Sequence, residues 1–235
     1  MGKIIALIFA GGRGLRMTMA DRPKQFLEIN GKAILCYTVE HFEKHSSIDG
    51  IIVVTTADWL EYTKRILSGY SKVLSVIVGG DTALNSQYLG LEETTKFVKD
   101  DDAVVLIHDG VRPLIDEQII TDCIQSVKEK GNGITTAPAI ETIIRIDDNG
   151  NIIETLDRTH CQLARAPQAF YLKDILGIHR KSIEEGKHNF IDSATMMRAY
   201  GFALHSVCGS ADNIKVTTTT DFYICETMLM KGKKD

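Results

Sequence analysis

The residues with the clearest chemical capacity lie in Phe9-Ala-Gly-Gly-Arg-Gly-Leu-Arg-Met17, followed by Arg22-Pro-Lys-Gln-Phe26. Gly11, Gly12 and Gly14 let the backbone turn tightly and present bare N–H groups. Arg13, Arg16 and Lys24 add cations beside the turn. N–H groups and cations with no obstructing side chain suit a polyphosphate; an ordinary surface turn is the alternative. The preceding run, Lys3-Ile-Ile-Ala-Leu-Ile8, has the apolar continuity of a buried parallel strand. The glycines therefore fall at a strand's carboxyl end, where open α/β sheets bind their ligands. A dinucleotide fingerprint would need glycine where Met17 stands and an acid near the end of Ile51-Ile-Val-Val-Thr-Thr56. A Walker loop would need a hydroxyl where Ala33 follows Gly31-Lys32.

Four further clusters fall where a ligand at that edge could reach them. Gly79-Gly-Asp81, with Asn85 and Ser86, ends one apolar run and opens a helical segment; its plain reading is a strand-to-helix turn with Asp81 as N-cap. In Ile107-His-Asp-Gly-Val-Arg-Pro113, Asp109 could hold a divalent cation and Arg112 an anion, or the two could simply pair. Glu141-Thr142 and Asp157-Arg158 stand at the two ends of a hairpin-like segment and could equally be solvated edge residues. Asp212-Asn-Ile-Lys-Val-Thr-Thr218 could bring Asp212 and Lys215 into the cleft, or form an edge strand with solvent-facing charge.

These clusters must be positioned by a regular scaffold, and the apolar patterning supplies one. Strands are expected over 3–9, 50–55, 72–78, 103–107 and 133–138, with helices over 34–45, 57–69, 81–98 and 116–130 between them. That alternation specifies βαβ crossovers: an α/β fold with a mostly parallel sheet and helices on both faces. Ile143–Ile153 breaks the rhythm as two short strands around Asn149-Gly150, a tight-turn signal. An isolated hairpin is marginal in water, so it either lies on its own domain or packs as an arm against a second subunit.

The whole chain narrows the possibilities further. Its 235 residues fit one sizeable domain. A net charge of −4 argues against a general nucleic-acid or anionic-membrane binder. Five widely spaced cysteines without a CxxC pair read as reduced thiols, and no apolar run approaches membrane length, so a soluble, cytoplasmic protein is expected. The seven histidines show no HxH or HExxH spacing, which leaves catalytic zinc and a Ser–His–Asp triad without support.

Taken together, the chain resembles the cytidylyltransferases that activate polyol phosphates, the 2-C-methyl-D-erythritol 4-phosphate and ribitol 5-phosphate enzymes. The matching pieces are Ala10–Met17, Pro23-Lys-Gln-Phe26, Gly79-Gly-Asp81, His108-Asp109, Arg112-Pro113, Thr142, Asp157-Arg158, Pro167-Gln168 and Asp212–Thr217. The resemblance implies a Rossmann-like nucleotidyltransferase domain spanning 1–235, use of CTP and Mg²⁺, an alditol phosphate acceptor, and release of pyrophosphate. It also implies a homodimer whose hairpin arm, about 139–160, completes the neighbour's site. By the same resemblance Ala10, Gly11, Gly12, Arg13, Gly14, Gly79, Asp81 and Ser86 would hold the nucleotide. Arg16, Lys24 and Lys215 would stabilise the reacting phosphates, Asp109 and Asp212 would lie by the metal, and Arg112, Thr142, Arg158 and Asp192 would bind the acceptor.

The chain departs from the family pattern at Ala83, Ala166 and Ile191, where Arg, Thr and Thr are usual, so its nucleotide half looks intact and its acceptor half altered. Arg165 is the nearest candidate to replace the lost hydroxyl on the acceptor. Asp58-Trp59 and Val111-Arg-Pro113 resemble the polyol branch and lean the acceptor towards ribitol 5-phosphate over methylerythritol phosphate. A nucleotidyltransferase for another wall or capsule precursor, or a catalytically silent nucleotide-binding homologue, is the alternative.

Overall fold

Runs rich in isoleucine and valine form the centre of the molecule, because β-branched side chains pack well on a pleated surface. The structure, a computed structural model, describes residues 2–12, 22–99, 102–187 and 189–231. Arg13, Gly14 and Arg16 lie outside the described residues. In chain order the elements are β1 (Ile4–Phe9), β2 (Glu28–Ile29), β3 (Lys32–Ala33), α1 (Ile34–Lys44), β4 (Gly50–Thr55), α2 (Leu60–Leu67), β5 (Val73–Val78), α3 (Ala83–Thr95) and β6 (Val104–Asp109). They continue with α4 (Glu117–Lys130), β7 (Asn132–Pro138), β8 (Ile144–Ile146), β9 (Ile152–Thr155), β10 (Gln162–Tyr171), α5 (Leu172–Glu184), α6 (Ser193–Ala199), β11 (Ser206–Cys208) and α7 (Thr219–Lys231).

Seven strands make one sheet in the order β11-β7-β10-β6-β1-β4-β5. All its pairings are parallel except those of β10, which runs antiparallel to both β6 and β7. Side chains alternate between the two faces of β1. Ile4, Ala6 and Ile8 pack on one face against α1, α2 and α4; Ile5 and Leu7 pack on the other against α3, α5 and α6. The chain moves outward from β1 through β4 to β5, then returns to β6 on the opposite side of β1. That reversal opens a crevice between the carboxyl ends of β1 and β6, the ligand position of this architecture.

The five expected strands form close to their expected limits. The reading lacks the short β2–β3 pair and two strands of the main sheet, β11 and β10, of which β10 is the longer. Its sequence, Gln-Leu-Ala-Arg-Ala-Pro-Gln-Ala-Phe-Tyr, has a proline in the middle and no clean alternation, yet it fills the gap between β6 and β7. Its two extra residues relative to β7, between Ala164 and Gln168, form a bulge that accommodates the proline.

Turn chemistry also corrects the reading. Asn30-Gly31, between β2 and β3, has φ of +51° and +74°, the double left-handed pattern of a two-residue hairpin. At Asn149-Gly150 only the glycine is left-handed, with φ +84°. There the Gly150 N–H donates to the Asp147 carbonyl at 3.1 Å, making a type I turn followed by a left-handed glycine. Asp147 Oδ1 fixes it by accepting from the N–H of Asn149 and of Asn151 at 2.9 and 2.8 Å. The segment 212–218, read as either carrying Asp212 and Lys215 into the cleft or forming an edge strand, contains no strand; it reaches β6's loop through Val216 N–H to Val111 O at 2.9 Å.

Gly90 of α3 lies against β1 and β4 so closely that a Cβ would meet Leu7 Cδ1 at 2.6 Å and Val54 Cγ2 at 3.0 Å. Both neighbours are buried and cannot swing away. Gly90→Val is expected to lower unfolding free energy by about 1–3 kcal/mol through overpacking. The check is the urea midpoint; an unchanged midpoint would show that α3 can lift off the sheet freely.

Candidate active site

At the end of β1 the buried Ala10 carbonyl and the Gly12 carbonyl accept from Gln25 Nε2 at 2.6 and 3.1 Å. Gln25 is itself buried, in a short 3-10 turn over Lys24–Phe26 whose Phe26 stacks on Trp59 at 4.7 Å. The glycine loop is thus tied down by a side chain that the sequence reading quoted only as part of a motif. A Cβ on Gly12 would stand 3.9 Å from Lys24 Cε, so Lys24 lies alongside the loop. Asp221 at the start of α7 feels the Lys24 charge. Burial pushes its carboxyl up, and backbone N–H groups of Thr218 and Thr217, with Lys24, bring it below its usual range.

Gly79 and Gly80 leave the end of β5 into α3. The helix cap is Thr82, whose Oγ1 accepts from Asn85 N–H at 3.0 Å, and not Asp81 as the plain reading expects. Asp81 is exposed. Ser86 Oγ donates to the Gly80 and Thr82 carbonyls, and a Cβ on Gly79 would meet Ser86 Oγ at 2.6 Å.

The strongest electrostatic feature stands opposite, where β6 ends in Asp109. Its Oδ1 accepts from Lys215 Nζ at 2.7 Å and its Oδ2 from Arg112 Nε at 2.8 Å. Burial pushes the Asp109 carboxyl up, but the charges of Lys215 and Arg112 and their hydrogen bonds prevail and bring it down to about 2. The pairing of Asp109 with Arg112 considered from sequence does form, and Lys215 joins it from 106 residues away. His108, just behind, is buried and packs edge-on to Phe42; burial pushes its imidazole down to about 3, so it is neutral at physiological pH.

Asn213 organises the remainder. Its backbone carbonyl accepts from Arg112 Nη1 at 2.8 Å and from Arg165 Nη1 at 3.1 Å. Its buried side chain donates through Nδ2 to the Ala166 carbonyl at 2.7 Å. Arg165 belongs to the bulge of β10. Because β10 runs antiparallel to its neighbours, its beginning lies at the carboxyl edge of β6. Asp212 sits beside Asn213 and is exposed.

Other expected residues stand elsewhere. Asp192 caps α6, with Oδ1 accepting from Thr195 N–H at 2.8 Å and Oδ2 from Gln168 Nε2 at 2.8 Å. Ile191 is 91% exposed, so it neither packs nor offers a hydroxyl. Thr142 is exposed at the base of the β8–β9 hairpin, and Arg158 Nη1 donates to the Ile140 carbonyl at 2.8 Å on the arm itself. Among the described residues, neither bonds to Asp109, Arg112 or Lys215. Gln25 and Asn213 are the residues missed; the available signal was a polar residue embedded in a motif beside apolar neighbours.

Comparison with known proteins agrees with this geometry. The family model described as 2-C-methyl-D-erythritol 4-phosphate cytidylyltransferase matches residues 4–231. A ribitol-5-phosphate cytidylyltransferase of Streptococcus agalactiae is 46% identical over 94% of this chain and 92% of its own. One from Vibrio parahaemolyticus is 43% identical, over 96% and 95%. A 2-C-methyl-D-erythritol 4-phosphate cytidylyltransferase of Syntrophus aciditrophicus is 34% identical over 97% of each. The crystal structure of 4-diphosphocytidyl-2C-methyl-D-erythritol synthase from Anaerococcus prevotii superposes with a TM-score of 0.84 at 27% identity, covering 97% of this chain and 96% of that one. The matching family and the shared fold make this chain a nucleotidyltransferase. This chain belongs to the 2-C-methyl-D-erythritol 4-phosphate cytidylyltransferase family and is a CTP-dependent enzyme that transfers CMP to a polyol phosphate.

The Asp109 cluster has a measurable stability signature. Its folded pKa lies below the ordinary value of 3.8. The associated stabilisation is therefore complete above that value and is lost as pH falls through about 2. Asp109→Asn is expected to cost about 2 kcal/mol at pH 7, with the gap to wild type narrowing below pH ~4. A gap constant over that range, measured by denaturant unfolding, would contradict the assignment.

Proposed function

We propose that the acceptor is ribitol 5-phosphate and the product CDP-ribitol. The charge arrangement at the β6 edge, with Lys215 and Arg112 on one carboxylate and Arg165 beside them, supports a phosphate-bearing acceptor, and the naming of the more similar relatives carries ribitol. Two anionic substrates repel, and fixed positive charge between them is what their reaction requires. Relatives at 43–46% identity carry the ribitol name, whereas at 34–35% both the ribitol and the methylerythritol names occur. Ala166, where the family usually has a hydroxyl, also supports a site altered from the methylerythritol pattern.

In this reading the glycine loop, held by Gln25, offers its N–H groups to the triphosphate, and Lys24 and Arg16 bear on its charge. Gly79, Asp81 and Ser86 hold the nucleoside. An acceptor phosphate oxygen attacks the α-phosphorus in line as the bond to pyrophosphate breaks. No covalent nucleophile of the protein is needed, only position and charge. Lys215 reaches the reacting phosphates by exchanging Asp109 for them.

The same reading includes Mg²⁺. Such an ion binds through one or two carboxylates plus substrate phosphates. Asp109, held ionised, and exposed Asp212 on the segment bearing Lys215 fit that donor set. Among the described residues no group of three metal-ligating side chains gathers, so substrate oxygens and water would complete the sphere. When bound, the ion neutralises charge developing on the phosphates.

The arm supports a homodimer. Ile144, Ile146, Ile152 and Ile153 on β8 and β9, and Ile140 at their base, are all exposed, an apolar surface that a lone hairpin does not need. Thr142 and Arg158 stand on this arm and would act in the neighbour's site. No helix among the described residues is long and apolar enough to cross a membrane, and a cytoplasmic enzyme is consistent with that.

Two measurements test these readings. A pyrophosphate-release screen with CTP, Mg²⁺ and a panel of alditol phosphates should give ribitol 5-phosphate the highest kcat/KM; a preference for methylerythritol phosphate would reverse the assignment. Deleting residues 146–152 should convert a dimer into monomers with little activity, read by light scattering and the same assay. A deletion variant that remains dimeric would remove the arm from the interface.

A further inference from the structure

Arg165 is a guanidinium with an incomplete set of partners. Its Nη1 donates to the Asn213 carbonyl at 3.1 Å, but its Nε is shielded from solvent and makes no hydrogen bond among the described residues. A buried donor left unpaired costs free energy, so such a group marks a place where a ligand completes the set. Burial and the neighbouring Arg112 both weaken its hold on its proton, and no carboxylate offsets them. The same carbonyl also receives Arg112 Nη1 at 2.8 Å, so one oxygen holds two guanidinium groups close together.

The local charge balance is uneven. Arg112, Arg165 and Lys215 surround one paired carboxylate, Asp109, leaving an excess of two positive charges among the bonded groups. Asp212, on the same segment, is exposed and bonds to none of them among the described residues. A phosphate monoester carries nearly two negative charges near neutral pH and accepts in the paired geometry that guanidinium groups donate. The dianionic end of the acceptor is therefore the species that balances this group.

We propose that Arg165, together with Arg112, seats the acceptor's phosphate, and that Asn213 is the positioning residue that sets the spacing of the two. This rests on the alditol phosphate reading above. Arg165 takes over part of the anchoring that a hydroxyl at the adjacent Ala166 would give. Asn213 acts twice: its carbonyl orients both guanidinium groups, and its side chain pins Ala166, the residue next to Arg165.

The test is steady-state kinetics with CTP, Mg²⁺ and ribitol 5-phosphate. Arg165→Ala should raise the acceptor's KM about 10- to 100-fold, the effect of losing a hydrogen bond to a charged group, and leave that of CTP nearly unchanged. Arg165→Lys, which keeps the charge without the fork, should fall between. Arg165→Gln supplies the same comparison if the alanine variant does not fold. Equal effects on both substrates, or none on either, would overturn the role of Arg165 while leaving the ribitol reading intact. A wild-type protein that uses no alditol phosphate would overturn both.

Discussion

The site depends on one carboxylate held between two cations that come from distant parts of the chain. Asp109 ends a strand, Arg112 follows in the next loop, and Lys215 arrives 106 residues later. The pairing is partly buried, so it is stronger than a surface ion pair and more costly to leave incomplete. It keeps Arg112 and Lys215 close although their like charges repel. The carboxylate is thus both the organiser of the cationic group and a group that substrate charge can relieve.

Secondary interactions give that cluster its shape. Val216 N–H to Val111 O fixes where Lys215 stands relative to the β6 loop, and Asn213 brings in the bulge of β10. Thr38 and His41 of α1 hold the far side of the loop through the Gly110 and Pro113 carbonyls. At the end of β1 Gln25 performs the equivalent task for the glycine turn. In both places a polar side chain bonds to backbone carbonyls and so fixes a loop at the sheet's edge.

Much of this was legible in the sequence because the first half of the chain has strong local signals. Residues 4–9 and 51–54 are apolar throughout, the pattern of a strand buried on both faces, and the glycines after Phe9 mark the end of the first. Membership of the family was carried by motifs in order. Asp109, Arg112 and Lys215 were named and the Asp109–Arg112 pair was weighed, but the bond to Lys215 was not, since a contact across 106 residues leaves no trace in spacing. The second half was harder. β10 owes its conformation to the ladders offered by β6 and β7, a tertiary cause that overrides its own weak pattern. Asp192 was read from its motif, and its carboxylate caps α6 and holds Gln168, a local role that the motif does not announce. The Asn-Gly signal at 149–150 was sound as a turn, but Asp147 selects which turn forms.

The bulge in β10 separates two kinds of constraint on the same strand. Between Ala164 and Gln168 the strand spends two more residues than β7 does, yet from Gln168 onward it is back in step with β6 and β7. The side chains of residues 165–167 are consequently not tied to the inside–outside alternation of the sheet. Substitutions there can redirect the edge of the sheet beside Arg165 while Phe170 and Ala169 keep their places in the core. That edge can therefore diverge between relatives by local change, with no slip of register to propagate into β6 and β7.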